Sequence, residues 1–250
     1  MVTQERWKRA QAYESGYWDR AEKADEVAAQ APAWYGWRAE RLVEELRATG
    51  LFRLVDGSAR VIEVGSGPVG VAKYFPARIR VAVDPLDQVY AANPGLAVHR
   101  SSDVDYREGR GEALPCADGA FDLAIIENCI DHVQDMDAVM RELRRVLAPE
   151  GVLYLTVNCR SPRGYWVHRL LSRLRIDAGH PHTFTPPRAE ALMRRHGFTV
   201  SKVWAMQEYA EARAADLRSA SAKDRLKAYL GVSEFAVGLI SVRGAGATTA

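Results

Sequence analysis

The chain has 250 residues, of which 48% are hydrophobic and 26% charged, and a net charge of +2. That length buries one sizeable core, and so small a net charge gives no broad electrostatic case for nucleic acid. No apolar run approaches the ~20 residues that span a bilayer. The polar start MVTQERWKRA lacks the apolar centre of a secretion signal. Cys116, Cys129 and Cys159 show no C-x-x-C spacing, which points to neither a disulfide framework nor a zinc site, so a reducing cytoplasm is expected.

Residues 1–57 read as a helical extension carrying Trp7, Tyr13, Tyr17, Trp18, Trp34, Tyr35 and Trp37. These rings suit packing onto the next domain, or a lid with aromatic walls over a small-molecule site. Strand and helix signals then alternate through residues 58–243, which predicts one α/β domain built on a mostly parallel sheet. Strands are expected at Ala59–Val64, Ile79–Asp84, Val104–Arg107, Phe121–Glu127 and Val152–Val157. A helix is expected after the glycine turn at 65–70, with Pro68 in its first turn. Asn93-Pro94-Gly95 keeps any helix after Asp84 short. Met136, Val139, Met140, Leu143 and Leu147 have helical spacing within Asp135–Leu147. A helix near Arg188–His196, a strand near Thr199–Met206, a polar helix near Ala214–Tyr229 and a strand near Glu234–Val242 follow. Residues 244–250 read as a disordered tail.

The most informative stretch is Val61-Ile62-Glu63-Val64-Gly65-Ser66-Gly67-Pro68-Val69-Gly70. An apolar strand runs into glycines that let backbone amides approach a nucleotide-like cofactor. The literal G-x-G-x-x-G fits a dinucleotide. A carboxylate two residues before the first glycine suits a cation instead, as in the ammonium and sulfonium groups of S-adenosylmethionine. Asp84, about 20 residues further on, has the spacing of a ribose-binding acid, and a carboxylate there accepts from both hydroxyls.

Five segments, in order, resemble a class I S-adenosylmethionine-dependent methyltransferase of the small-molecule branch. They are EVGSGPVG, VAVDPLD, GEALPCADGAFDLAIIENCIDHVQD, LRRVLAPEGVLYLTVN and GHPHTFTPPRAEALMRRHGFTV, within residues 58–204. The resemblance implies a doubly wound, Rossmann-like sheet of seven strands with the last antiparallel. It implies that Glu63 faces the cofactor ammonium, directly or through water. Gly65 and Gly67 lie along the methionine part, Asp84 holds the ribose, and Glu112, Ala113 and Leu114 form the adenine loop. Asn128 is expected beside the cofactor at the end of the fourth strand. The sequence departs from the family pattern at Val69, where a third glycine is common, and at Arg110, where an acid often receives the adenine amine.

His132 is the first candidate for a general base, because it follows the fourth strand and imidazole titrates near neutrality. His180 and His182 form a second candidate pair, and no partner set around them supports a metal site. Arg160, Arg163, Arg169, Arg173 and Arg175, interleaved with Tyr165, Trp166, Leu170, Leu171 and Leu174, read as the solvated face of a substrate-cap helix. The alternative for 160–175 is contact with an anionic acceptor, a lipid headgroup or a membrane surface. The function expected is methyl transfer to a small molecule, oxygen favoured, with no nucleic-acid partner. The alternatives are a cofactor-binding partner without activity and an NAD-dependent oxidoreductase.

Overall fold

The computed structural model describes residues 2–18, 21–173 and 181–244. Its centre is a sheet of β1 (Arg60–Val64), β2 (Ile79–Asp84), β3 (Asp105–Glu108), β4 (Phe121–Glu127), β5 (Leu147–Arg160), β6 (Phe198–Ala205) and β7 (Glu234–Arg243). The spatial order is β3-β2-β1-β4-β5-β7-β6, and β7 runs antiparallel to both its neighbours. The pairs β2–β3, β1–β2, β1–β4 and β4–β5 are parallel. The chain steps outward from β1 to β3 and restarts at β4 on the other side of β1. In open α/β sheets ligands bind in the crevice at such a reversal, outside the carboxyl ends of the strands.

Helices cover both faces: α1 (Gln4–Trp18), α2 (Ala21–Ala48), α3 (Asp87–Ala92), α4 (Pro94–Ala97), α5 (Met136–Val146), α6 (Pro162–Arg173), α7 (Pro186–Arg195), α8 (Tyr209–Arg218) and α9 (Ala222–Leu230). Strand alternation sorts the core into two layers. Ile62, Val64, Ala124 and Ile126 pack with Val139, Met140 and Leu143 of α5 and Leu192 and Met193 of α7. Val61, Leu123 and Ile125 pack on the other face with Tyr35, Ala39, Leu42 and Leu46 of α2. Their spacing of three and four along α2 makes one apolar stripe. At the start of α5 the Asp135 carboxylate accepts from the amides of Asp137 and Ala138, at 3.0 and 3.3 Å.

Two expected helices are corrected. After the glycine loop there is only a single 3-10 turn, Val71–Lys73, and Pro68 lies in the loop before it. Gly70, at φ +81°, resets the chain just ahead of the turn. Pro76 keeps Phe75 away from helical geometry just behind it, so one turn is all that fits. The polar helix of 214–229 is two helices, α8 and α9. Ser219 turns extended, and the Ser221 side chain accepts from the Asp224 amide to start α9. Serine competes for backbone hydrogen bonds and so favours such boundaries.

Candidate active site

Gly65 follows β1 with φ +73°. A Cβ there would lie 2.4 Å from the Cys129 Sγ and 2.7 Å from its Cβ. Both the backbone conformation and the close approach therefore demand glycine. The Cys129 thiol donates to the Val64 carbonyl at 3.1 Å, and burial pushes its pKa well up, so it stays a donor. Gly67, at φ +62°, donates its amide to Asp84 Oδ2 at 2.9 Å. The other carboxylate oxygen of Asp84 accepts from the Leu86 amide at 2.9 Å. One buried side chain thus ties the loop after β1 to the loop after β2.

Glu63 is a correction. Its carboxylate does not face the cleft: Oε1 accepts from the Val71 amide at 3.0 Å and Oε2 from the Ala72 amide at 2.8 Å. These are orphan donors at the start of the 3-10 turn, and a buried carboxylate needs such partners. A Cβ on Gly70 would sit 2.7 Å from Glu63 Oε2. The last glycine of the literal dinucleotide fingerprint is there to admit this side chain. Val69, where a glycine is common, is fully buried in the core, and its carbonyl accepts from the Tyr106 hydroxyl at 2.7 Å.

Burial pushes the Glu63 carboxyl up to about 7 and the Asp84 carboxyl up to about 6. A carboxyl raised on folding binds a proton more readily folded than unfolded, so its contribution falls as pH rises from the ordinary carboxylate range through the raised value. His182, held down mainly by burial, works in the opposite direction. Without cofactor, Glu63→Gln should therefore gain on wild type as pH rises from about 5 to about 7.5. Urea midpoints measured across that window check this; a wild-type-to-variant difference that does not change with pH refutes the assignment.

A cleft of about 200 Å³ opens at the ends of β1, β2 and β4. Val64, Gly65 and Gly67 wall it on one side, Asp84 and Leu86 on another, and residues 109–112 on a third. Among the described residues its wall carries the carboxylates of Glu14, Asp84, Glu112 and Glu127, with Arg110 the one arginine. Glu127 pairs with Arg38 of α2. Glu112 lies 3.4 Å from Arg110 and accepts from the amides of Gln134 and Asp135 at 2.8 and 3.2 Å, which fastens the loop to the start of α5. Asn128 lies in the wall in a left-handed conformation, φ +48°, which asparagine tolerates better than most residues.

Ala113 and Leu114 are a second correction, since neither lines the cleft. Leu114 is in the core and its amide donates to Glu142 Oε2 at 2.8 Å. The Ala113 amide donates to the Arg110 carbonyl at 3.0 Å. Gly109, Arg110 and Gly111 take the wall position instead.

His132 lines the cleft, with Nδ1 3.6 Å from Glu14 Oε1 and Nε2 3.8 Å from Asp131 Oδ1. His182 does not line it. Its Nε2 lies 2.9 Å from the Val133 carbonyl and its amide donates to the Asp131 carbonyl. A carbonyl can only accept, so Nε2 carries the proton there. His182 braces the turn that carries His132. His180, Leu174 and Arg175 lie outside the described residues, as do the side chains of Tyr17, Leu171 and Arg173.

Helix α1 closes one side of the cleft with Trp7, Gln11, Glu14 and Trp18. The Arg110 guanidinium lies 4.0 Å from the centre of the Trp7 ring. Sequence reasoning had the aromatics of this helix but missed Gln11 and Glu14. The signal was the spacing 7, 11, 14, 18, one helical stripe mixing rings with polar groups.

A methyltransferase-domain family model matches residues 62–155. A ubiquinone biosynthesis O-methyltransferase from Xanthomonas oryzae pv. oryzae is 30% identical over 168 residues, covering 60% of this chain and 69% of the relative. The chain belongs to the class I S-adenosylmethionine-dependent methyltransferases. A methyltransferase-like protein of Schizosaccharomyces pombe is 30% identical over 154 residues, 58% of this chain and 56% of the relative. The chain spans little more than half the length of the first curated relatives it matches. Its fold is shared with a geranyl diphosphate C-methyltransferase from Streptomyces coelicolor A3(2), at TM-score 0.55 and 16% identity over 90% of this chain and 84% of that one.

The methyltransferase's cofactor is S-adenosylmethionine, and the cleft fits it. Among the described residues carboxylates outnumber cations in the wall, which favours a sulfonium and an ammonium and disfavours a pyrophosphate. Asp84 presents a buried carboxylate for hydroxyls, and Val64, Val83 and Leu86 supply apolar surface. The nicotinamide alternative, which rested on the glycine pattern, is set aside by the family membership and by the packing of Gly70. Among the described residues no helix is long and apolar enough to cross a membrane.

Proposed function

We propose that this methyltransferase methylates a small-molecule acceptor, with oxygen favoured over nitrogen or carbon, in the cytoplasm. The observation that carries the reading is His132 in the cleft wall between the carboxylates of Glu14 and Asp131. Bound S-adenosylmethionine supplies an electrophilic methyl group on a sulfonium. Asp84 accepts from the ribose hydroxyls, and Gly65 and Gly67 admit the methionine part close to the backbone. Glu14 offsets positive charge, while Asn128 and the loop at 109–112 border the remainder of the cofactor.

A hydroxyl acceptor must lose its proton as it attacks, and His132 takes it. Helix α1 acts as the lid of residues 1–57, keeping water from the reacting centre with Trp7 and Trp18. The ubiquinone biosynthesis enzyme among the relatives is named for O-methylation, which agrees with the acceptor atom favoured here. His132→Ala should lower turnover by about 10²–10⁴-fold, the usual contribution of a general base, with S-adenosylhomocysteine affinity within about threefold of wild type. The check is transfer of tritiated methyl to a panel of phenols, hydroxyquinones and amines, beside calorimetry with S-adenosylhomocysteine. Undiminished turnover in the variant removes His132 from the mechanism.

A further inference from the structure

A second cavity, of about 340 Å³, lies beside the cleft between the start of α1, the middle of α6 and the start of α7. Among the described residues its wall carries Arg6, Arg169, Arg188, His182 and Thr183, and no carboxylate. The guanidinium carbons of Arg169 and Arg188 lie 5.5 and 4.8 Å from the centre of one ring, that of Tyr165. Tyr165 is only 6% exposed, and its hydroxyl accepts from Arg169 Nη1 at 2.8 Å. Two like charges are thus gathered on one buried ring. Among the described residues neither is paired with a carboxylate, whereas Arg38, Arg100 and Arg160 each are. By sequence Arg160 belongs with this basic group. The structure removes it: Arg160 is buried and pairs with Glu234 while donating to the Val232 carbonyl.

The cavity adjoins the cleft. Arg6 precedes Trp7, which lines the cleft, and the Val133 carbonyl that receives His182 belongs to a cleft residue. We propose that this cavity binds a phosphate or diphosphate group, and that the methyl acceptor carries it. The second half rests on the reading of the cleft as the site of transfer. Arginines arriving from three elements suit an anion with several oxygens pointing in different directions. A planar carboxylate is satisfied by one guanidinium fork, while a phosphate ester carries about −1.5 to −2 charges and three terminal oxygens.

Calorimetry at low salt with inorganic pyrophosphate, inorganic phosphate, phenyl phosphate and benzoate tests this on wild type, Arg169→Gln and Arg188→Gln, with S-adenosylhomocysteine as the control for a folded cofactor site. Pyrophosphate should bind wild type and bind each variant at least 10-fold more weakly, with S-adenosylhomocysteine affinity unchanged. Phenyl phosphate should bind more tightly than inorganic phosphate and than benzoate. No pyrophosphate binding to wild type, or equal binding by all three proteins, overturns the anion site and leaves the methyl-transfer reading intact. Inorganic phosphate binding as tightly as phenyl phosphate overturns the link to the acceptor, and benzoate binding best overturns the phosphoryl assignment. No S-adenosylhomocysteine binding to wild type would instead overturn the reading of the cleft and with it the link to the acceptor, leaving the anion site standing.

Discussion

Gly65→Ala should cost the protein both stability and cofactor binding. A non-glycine residue at φ +73° carries about 1–3 kcal/mol of backbone strain. The added methyl also meets Cys129 at 2.4 Å to Sγ and 2.7 Å to Cβ, and overpacking of this kind costs about 1–3 kcal/mol more. Against a typical total of about 5–15 kcal/mol, the sum is severe. Relief of the clash must move the turn whose neighbouring Gly67 amide binds Asp84, so calorimetry should detect no S-adenosylmethionine binding. The cysteine offers an internal control. In the Gly65→Ala background, Cys129→Ala removes the sulfur contact but leaves the Cβ contact, while Cys129→Gly removes both. Each double variant, compared with its own Cys129 single variant, should show a smaller Gly65 effect in the order glycine, then alanine, then cysteine. Denaturant midpoints that place Gly65→Ala within about 0.5 kcal/mol of wild type, the range of ordinary surface changes, would refute the close-packing account.

Asp84→Ala should weaken S-adenosylmethionine binding by about 100-fold, or about 2.7 kcal/mol. The carboxylate does two jobs with the same two oxygens. It holds the amides of Gly67 and Leu86, and its remaining lone pairs are the acceptors proposed for the ribose hydroxyls. Hydrogen bonds to a charged group contribute about 1.5–3 kcal/mol each, and alanine leaves both amides without their partner. Asp84→Asn separates the two jobs. The asparagine oxygen still accepts, but its NH₂ faces one amide as donor against donor, so affinity should fall between wild type and alanine. Equal affinity for wild type and Asp84→Ala would remove Asp84 from the cofactor site. The same variants should lose adenosine affinity in parallel, since the ribose is common to both ligands.

The fold was open to reading from sequence because its signals are local. Phe121–Glu127 was expected as a strand with those bounds and is one, since a run of apolar residues between turn signals has few other uses in an α/β chain. Asn93-Pro94-Gly95 correctly kept the helices after Asp84 short, and α3 and α4 meet at Asn93. Glu63 shows where such reading stops. Its place near the end of an apolar strand suited a cation, but whether its carboxylate turns to the cleft or to the amides of the next turn depends on how tightly residues 65–73 fold back. Ala113 and Leu114 fail for the same reason: Glu142, 28 residues along the chain, captures an amide that the local motif leaves open.

By itself the sequence determined the strand succession, the glycine loop, the acid at Asp84 and the placement of His132 just past β4, all consequences of short-range spacing and backbone stereochemistry. Only the tertiary structure decided which polar groups face the cleft. Glu14 reaches His132, Arg6 joins Arg169 and Arg188 around a second cavity, and Arg160 withdraws to Glu234. Those partners come from segments far apart in the chain. Their meeting is set by how helices pack across the open end of the sheet, and no spacing rule within one segment encodes it.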